Sequence, residues 1–343
     1  MPGMPEMPKI PGIKIPDFSA PTRTLTMDLT SGKAVNAQSK ADCAIPAGLQ
    51  HGPKVNLHID LPQKPNIEKG SAKESEQQQA KMPKMVIKSY WMCSETVPAG
   101  QPKALDMAAM AASGQKTMKA FRNMKLPERL TNHSDGSHAY WPYDNVKPFE
   151  KEASAPGLYT LGTNYCGGTT VTFDNPQDFL APIDIVKPSK DIDLAKPINI
   201  EWKSVPNAAA YTLTAFSGSD KEMIMWTSAS DPDPATKVQF EVVTQAEVRQ
   251  LIEKGVLLPP TATSCCIPAG IFKGAGQAML TVTAIGRDII QTKDDITTDV
   301  LVRSTATVML GKPMGMPGMG DGKDGAPPEM PNMPDVSGDE GGE

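Results

Sequence analysis

Methionine recurs at every third place near both ends of the chain: Met1, Met4 and Met7 in "MPGMPEMPK", Met316 and Met319, then Met330 and Met333, with Met314 making a closer pair with Met316. The same spacing occurs at Met82/Met85 and Met107/Met110. A thioether is a soft ligand suited to Cu(I), so Met1, Met4, Met7, Met314, Met316, Met319, Met330 and Met333 are candidate soft-metal ligands, and Cu(I) is the cofactor they suggest. The prolines between them favour a polyproline II helix, whose three residues per turn and rise of about 3.1 Å per residue set successive methionines about 9 Å apart along one edge. One ion cannot bridge neighbours at that distance. Such an edge is better shaped to lie in an apolar groove, where flexible methionine adapts to an irregular surface. Met1, Met4, Met7, Met316 and Met319 are therefore candidate docking residues for another copy of the chain or an envelope partner. The plainest alternative is a pair of Pro/Gly/Met tails with no specific partner.

Histidine offers a second candidate. "NHSDGSHAYWPYD" brings His133, Asp135 and His138 near Trp141 and Tyr143. Paired histidines with an aspartate can hold a metal, and exposed aromatic rings beside polar groups can stack a sugar or peptide. The spacing matches no strong metal motif, and Ser-Asp-Gly-Ser is ordinary loop chemistry, so a surface loop is expected. His58 and Asp60 fall on one face of a strand, which reads as a solvated face.

The five cysteines, Cys43, Cys93, Cys166, Cys265 and Cys266, lack the paired CxxC spacing of zinc and redox sites. They are disulfide candidates for an oxidising compartment, one or two bridges in all, with a thiol left over. On a strand, Cys265 and Cys266 point to opposite faces. "CGGTT" at Cys166 reads as a strand-edge turn carrying a disulfide cysteine rather than a catalytic nucleophile. There is no GxSxG elbow, HExxH, Walker loop or dinucleotide glycine pattern, and "DGKDG" at residue 321 lacks the terminal glutamate of a calcium loop. The expectation is a protein that is not an enzyme.

These residues need a frame, and the composition indicates its kind. Proline is abundant at 33 residues and aromatic residues make up only 5%, which suits turn-rich β structure. The net charge of −5 and the absence of a basic run argue against nucleic-acid partners. No apolar stretch approaches the roughly 18 residues of a membrane span, and residues 1 to 16 are too polar and proline-rich to read as a signal peptide.

The chain is long enough for two cores. "TRTLTMDLT" places Leu25, Met27 and Leu29 on one face of a strand, and "KVNLHIDLP" does the same for Val55, Leu57, Ile59 and Leu61. Residues 63–84 have almost no apolar residue and read as a flexible insertion. Strand resumes at "MVIKSYWM", residues 104–125 read as helical, and "LYTLGT" and "TTVTF" are further strands. Residues 17–185 are thus expected to form one β-sandwich. A second, spanning 191–312, starts with Ile198, Ile200 and Trp202 on one face, then Tyr211, Leu213 and Ala215. It continues through "EMIMWTSA", "KVQFEVV", "AMLTVTAIG" and "DVLVRSTATVML". A helix at 244–254 has a capping box of Thr244 and Glu247 and a stop at Gly255, with Val248, Leu251 and Ile252 facing the sandwich. "DCAIPAGLQHG" at residue 42 matches "SCCIPAGIFKG" at residue 264 without a gap; duplication and convergent turn chemistry both account for it.

"YWMCSETVPAGQP", "EMIMWTSA", "LLPPTATSCCIPAGIF" and "AMLTVTAIG" together resemble a family of exported proteobacterial proteins of unassigned function, over roughly residues 20 to 310. The family usually reads a glycine beside the first cysteine, where this chain carries Met92 and Ser94. The resemblance implies export, β-sandwich architecture and an envelope or surface setting, and it supplies no catalytic residue. The fold expected is all-β: two immunoglobulin/fibronectin III-like sandwiches with short helical insertions and Met/Pro-rich tails at 1–16 and 313–343. The function expected is binding or self-assembly into filaments or arrays, in the periplasm, at the cell surface or outside the cell. Soft-metal binding through the MxxM clusters is the alternative, and an enzyme of unknown type is a distant third.

Overall fold

A computed structural model describes residues 22–61, 85–106, 136–143, 148–188, 192–219, 221–231 and 243–311. Both tails, the 63–84 insertion, residues 107–125 of the expected helical segment, His133, Asp135 and all of "KVQFEVV" except Val243 lie outside them. The first half supplies β1 (Thr22–Ser31), β2 (Ala41–Ala44), β3 (Lys54–Asn56), β4 (His58–Ile59), β5 (Val86–Trp91), β6 (Lys103–Asp106), β7 (Ser137–Trp141), β8 (Gly157–Thr163) and β9 (Gly168–Phe173). The second supplies β10 (Ile185–Lys187), β11 (Ile198–Trp202), β12 (Ala210–Gly218), β13 (Glu222–Thr227), helix α1 (Gln245–Glu253), β14 (Ser264–Ile267), β15 (Gln277–Ile285), β16 (Ile289–Lys293) and β17 (Ile296–Gly311).

The strands do not sort into two sets along the chain. A ten-stranded sheet runs β4-β7-β1-β17-β15-β12-β13-β5-β6, with β16 also on β17, and two smaller sheets run β10-β11-β14 and β3-β2-β8-β9. All pairs are antiparallel except β5 with β13. The boundary expected near residues 185–191 therefore does not divide the large sheet, because β1 lies along β17 from Thr22↔Thr305 to Ser31↔Ile296 and β5 lies along β13. Burial explains why. β1, β8, β11 and β12 each bury one face, and Leu29, Tyr159, Ile200 and Leu213 belong to one shared core. Leu25, Met27 and Leu29 are fully buried, each contributing roughly 1.5 to 3 kcal/mol over exposure.

Two local expectations are corrected. "KVNLHIDLP" is not one strand: β3 joins the four-stranded sheet and β4 the ten-stranded one, with Leu57 between them donating its N–H to the Ala41 carbonyl. Leu61, expected inside, is exposed. Residues 104–106, expected to begin a helix, belong to β6, where Leu105 pairs with Ile87 of β5.

Helix α1 forms as its capping box requires: the Thr244 hydroxyl accepts from the Glu247 N–H, and the Glu247 carboxylate accepts from the Thr244 N–H at 2.8 Å. Gly255 follows at φ +68°, the left-handed stop. Val248, Val256 and Leu257 form a satellite cluster with Ala210 and Ile285.

Met92 follows β5 and turns the chain toward β14 of the three-stranded sheet. Its N–H donates to Thr227, Cys93 forms a disulfide with Cys265 of β14, and the Ser94 N–H donates to the Cys266 carbonyl. The turn places Met92 at φ +82°, the region glycine favours, and the Trp226 indole N–H donates to its carbonyl at 3.1 Å.

Candidate functional site

The outer face of the large sheet is laid out in cross-strand rows, since residues paired across strands share a face. At one end Ala210, Ile285 and Arg303 stand side by side. Ala210 and Ile285 lie beneath the α1 cluster. Arg303 is buried there against Asp288, with Nη1 to Oδ1 at 2.6 Å and Nη2 to Oδ2 at 2.7 Å, while the Val243 and Val302 N–H groups donate to the same carboxylate. Burial pushes the Asp288 carboxyl above its ordinary value, against the pull of Arg303 and the two amides.

The next two rows are threonine: Thr212, Thr283 and Thr305, then Thr214, Thr281 and Thr307. The hydroxyls of Thr283 and Thr305 and of Thr281 and Thr307 lie within hydrogen-bond distance of each other. The fourth row is apolar. Met225 of β13 pairs with Phe216 of β12, Phe216 with Met279 of β15, and Met279 with Met309 of β17. Met225, Phe216 and Met309 are 42%, 43% and 56% exposed, so four adjacent strands hold a line of apolar side chains toward solvent. Among the described residues, β1 pairs with β17 beside that line as far as Thr305. The end of the sheet thus offers an apolar surface of the kind that marks interaction sites.

A second cluster lies at the β4 side of the sheet. His138 Nδ1 is 2.8 Å from Asp60 Oδ2 and its Nε2 is 2.9 Å from Asp28 Oδ1, while the Tyr140 ring stacks on it at 5.1 Å. Burial pulls the His138 imidazole down, and the hydrogen bonds and charges of Asp28 and Asp60 outweigh it, so its pKa is raised. Both ring nitrogens face carboxylates, which leaves neither lone pair for a metal and makes the imidazolium a clasp between β4 and β1. His58 stands 3.8 Å from Asp60 Oδ1 and packs near Tyr140 and Tyr143. Among the described residues no group of three or more His, Cys, Asp or Glu side chains is placed to hold a metal ion.

Of the residues singled out in the sequence, His138 and Tyr143 lie at this clasp, but Trp141 points the other way into the core. Asp60, expected on a solvated face, binds His138. Asp28 and the apolar row were missed, because their partners are set by strand register rather than by spacing. Cys265 and Cys266 point to opposite faces as expected. Cys43, Cys166 and Cys266 are free thiols, correcting their place among the disulfide candidates. Cys43 sits in the core between Val55 and Leu161, where burial pushes its thiol up to about 12. Cys166 lies in the β8–β9 turn, 3.2 Å from the Thr163 hydroxyl. The methionines of both tails lie outside the described residues. Among those residues no helix is long and apolar enough to cross a membrane.

Comparisons with family profiles, with curated proteins and with solved structures each return no match.

Proposed function

We propose that the protein is an exported, non-catalytic binding and assembly subunit that takes an extended apolar segment across the end of its ten-stranded sheet. The observation that carries this reading is the exposed Met225–Phe216–Met279–Met309 row. The bound segment is the Met/Pro-rich stretch of a neighbouring copy or of an envelope partner. Head-to-tail docking of that kind does not close on itself and builds filaments or arrays. Export is supported by the Cys93–Cys265 disulfide, which is maintained in an oxidising compartment. An immunoglobulin-like sandwich is supported by the Tyr159 hydroxyl, which donates back to the Ala155 carbonyl at 2.7 Å in the manner of a tyrosine corner.

The test compares the wild-type chain with a Phe216→Thr/Met309→Thr variant, threonine being what the adjoining rows carry. Light scattering and negative-stain microscopy are expected to show large, concentration-dependent species for the wild type and their loss in the variant. Equal size distributions would overturn the reading. Soft-metal binding keeps one observation in its favour, the cross-strand pairing of Met279 with Met309, and Cu(I) titration of the same two proteins tests it.

A further inference from the structure

We infer that the Cys93–Cys265 disulfide is a redox latch on the docking face: it holds the β5–β6 hairpin against β13, and a dithiol that reduces it releases the hairpin and weakens docking. This rests on the reading of the apolar row as a docking surface and names its regulation.

Three observations converge. The first is what the hairpin adds. Ser89 of β5 pairs with Met225 and Lys103 of β6 pairs with Ser89, so the hairpin carries the Met225–Phe216–Met279–Met309 row two strands further. In the neighbouring row Met223 pairs with Ile87 and Ile87 with Leu105, which sets further apolar side chains on the same face. Without the hairpin that face ends at β13, whose Met223 and Met225 lose the strand beside them.

The second is how thinly the hairpin is held. β5 lies along β13 from Val86↔Glu222 to Trp91↔Thr227 in parallel, the slightly weaker form of pairing. Tyr90 meets the core, yet every residue of β5 and β6 is half-buried or exposed, whereas β1 buries Leu25, Met27 and Leu29 completely. Elements with few buried apolar contacts are the ones that open while the rest of the fold stays closed.

The third is where the bridge sits. Cys93 lies two residues past Trp91, and Cys265 belongs to β14, which pairs with β11 in the three-stranded sheet. The bridge thus ties the end of β5 to an element outside the large sheet, beside the bonds from the Ser94 N–H to the Cys266 carbonyl and from the Ala269 N–H to the Glu95 carbonyl. Cys93 is half-buried and Cys265 buried, so a dithiol enters at the Cys93 sulfur. Its thiolate forms a mixed disulfide with Cys93 and displaces Cys265, and its second thiol then frees Cys93. Two electrons and two protons pass to the protein sulfurs, and the reductant leaves as a disulfide. Burial and Glu95 push the adjacent Cys266 thiol up, which keeps it protonated and out of exchange with the bridge.

The test follows backbone amide exchange by mass spectrometry in the full wild-type chain, oxidised and in dithiothreitol, with light scattering on the same samples. In reductant, residues 86–91, 103–106 and 222–227 are expected to exchange at least about tenfold faster while β1, β15 and β17 keep their protection, and the large species should decline. Cys93→Ser without reductant should reproduce that pattern. Unchanged exchange in the hairpin, in reductant or in Cys93→Ser, overturns the inference. Loss of protection throughout also overturns it, since the bridge would then support the whole fold. If the hairpin is released and the large species are undiminished, the latch is wrong, and the docking reading stands provided Phe216→Thr/Met309→Thr abolishes them. Equal size distributions for that variant and the oxidised wild type sink the docking reading and the latch together, whatever the exchange shows.

Discussion

Replacing Arg303 by methionine should destabilise the fold by more than any exposed charge change could. The Asp288 and Arg303 side chains are 0% and 4% exposed, so the pair gains little from solvent and depends on its own geometry. Arg303→Met keeps the stem of the side chain but removes the two guanidinium bonds to Asp288 and the one to the Val302 carbonyl, and leaves a buried carboxylate with the Val243 and Val302 amides. Breaking one side of a buried pair costs about 3 to 5 kcal/mol. For a unit of this size, with a shift of about 2 to 4 °C per kcal/mol, the midpoint of thermal unfolding should fall by roughly 6 to 20 °C. Circular dichroism melts and urea titration measure it. The double variant Arg303→Met/Asp288→Leu removes both charges yet strands the two amides, at about 1 to 3 kcal/mol each. It should therefore cost at least about 2 kcal/mol less than the sum of the two single changes. A loss under about 1 kcal/mol for Arg303→Met, or strict additivity in the cycle, would refute the account of this pair as a buried, mutually dependent contact.

Other outcomes follow from the same geometry. The His138 imidazolium has a raised folded-state pKa, so its contribution is fully present below the unfolded value near 6.5 and is lost as pH rises through the folded value. The Asp60 N–H, which donates to the His138 carbonyl, should lose intrinsic-rate-corrected exchange protection over that window, and His138→Gln should abolish the pH dependence. Reducing the Cys93–Cys265 bridge, whose cysteines are 172 residues apart, should cost on the order of 5 kcal/mol on the chain-entropy account, read as a lower urea midpoint in reductant. Met92→Gly should raise stability by about 0.5 to 1 kcal/mol, because the backbone there is already in glycine's region and the side chain is partly exposed; a lower melting temperature would contradict this.

Alternation and capping make several elements legible in the amino-acid sequence. Leu25, Met27 and Leu29 follow the period of two in β1, and Thr244 with Glu247 mark the start of α1, because both signals are local in the chain. Sheet order is not local. Nothing near Thr22 indicates Thr305 as its partner, so an expectation of two separate sandwiches follows from taking strands in chain order. Arg303 illustrates the same limit. In "DVLVRSTATVML" it occupies an outward place and reads as a solvated charge, whereas Asp288 beyond β15 and Val243 before α1 close over it. Phe216, Met225, Met279 and Met309 each break the outward polar pattern of their own strand, a detectable irregularity. Only the register shows that the four irregularities form one line.

The pairing of β1 with β17 also bears on how the chain comes to be folded during synthesis. The first described strand can take β7 on one edge once residues 137–141 exist, but its other edge lacks its partner until residues 296–305 have been made. At about 5 to 20 residues per second, that edge of β1 waits for tens of seconds behind the ribosome. Closure of the β1–β17 seam is therefore a late step in folding. A strand edge left unpaired for that long is a target for holding chaperones.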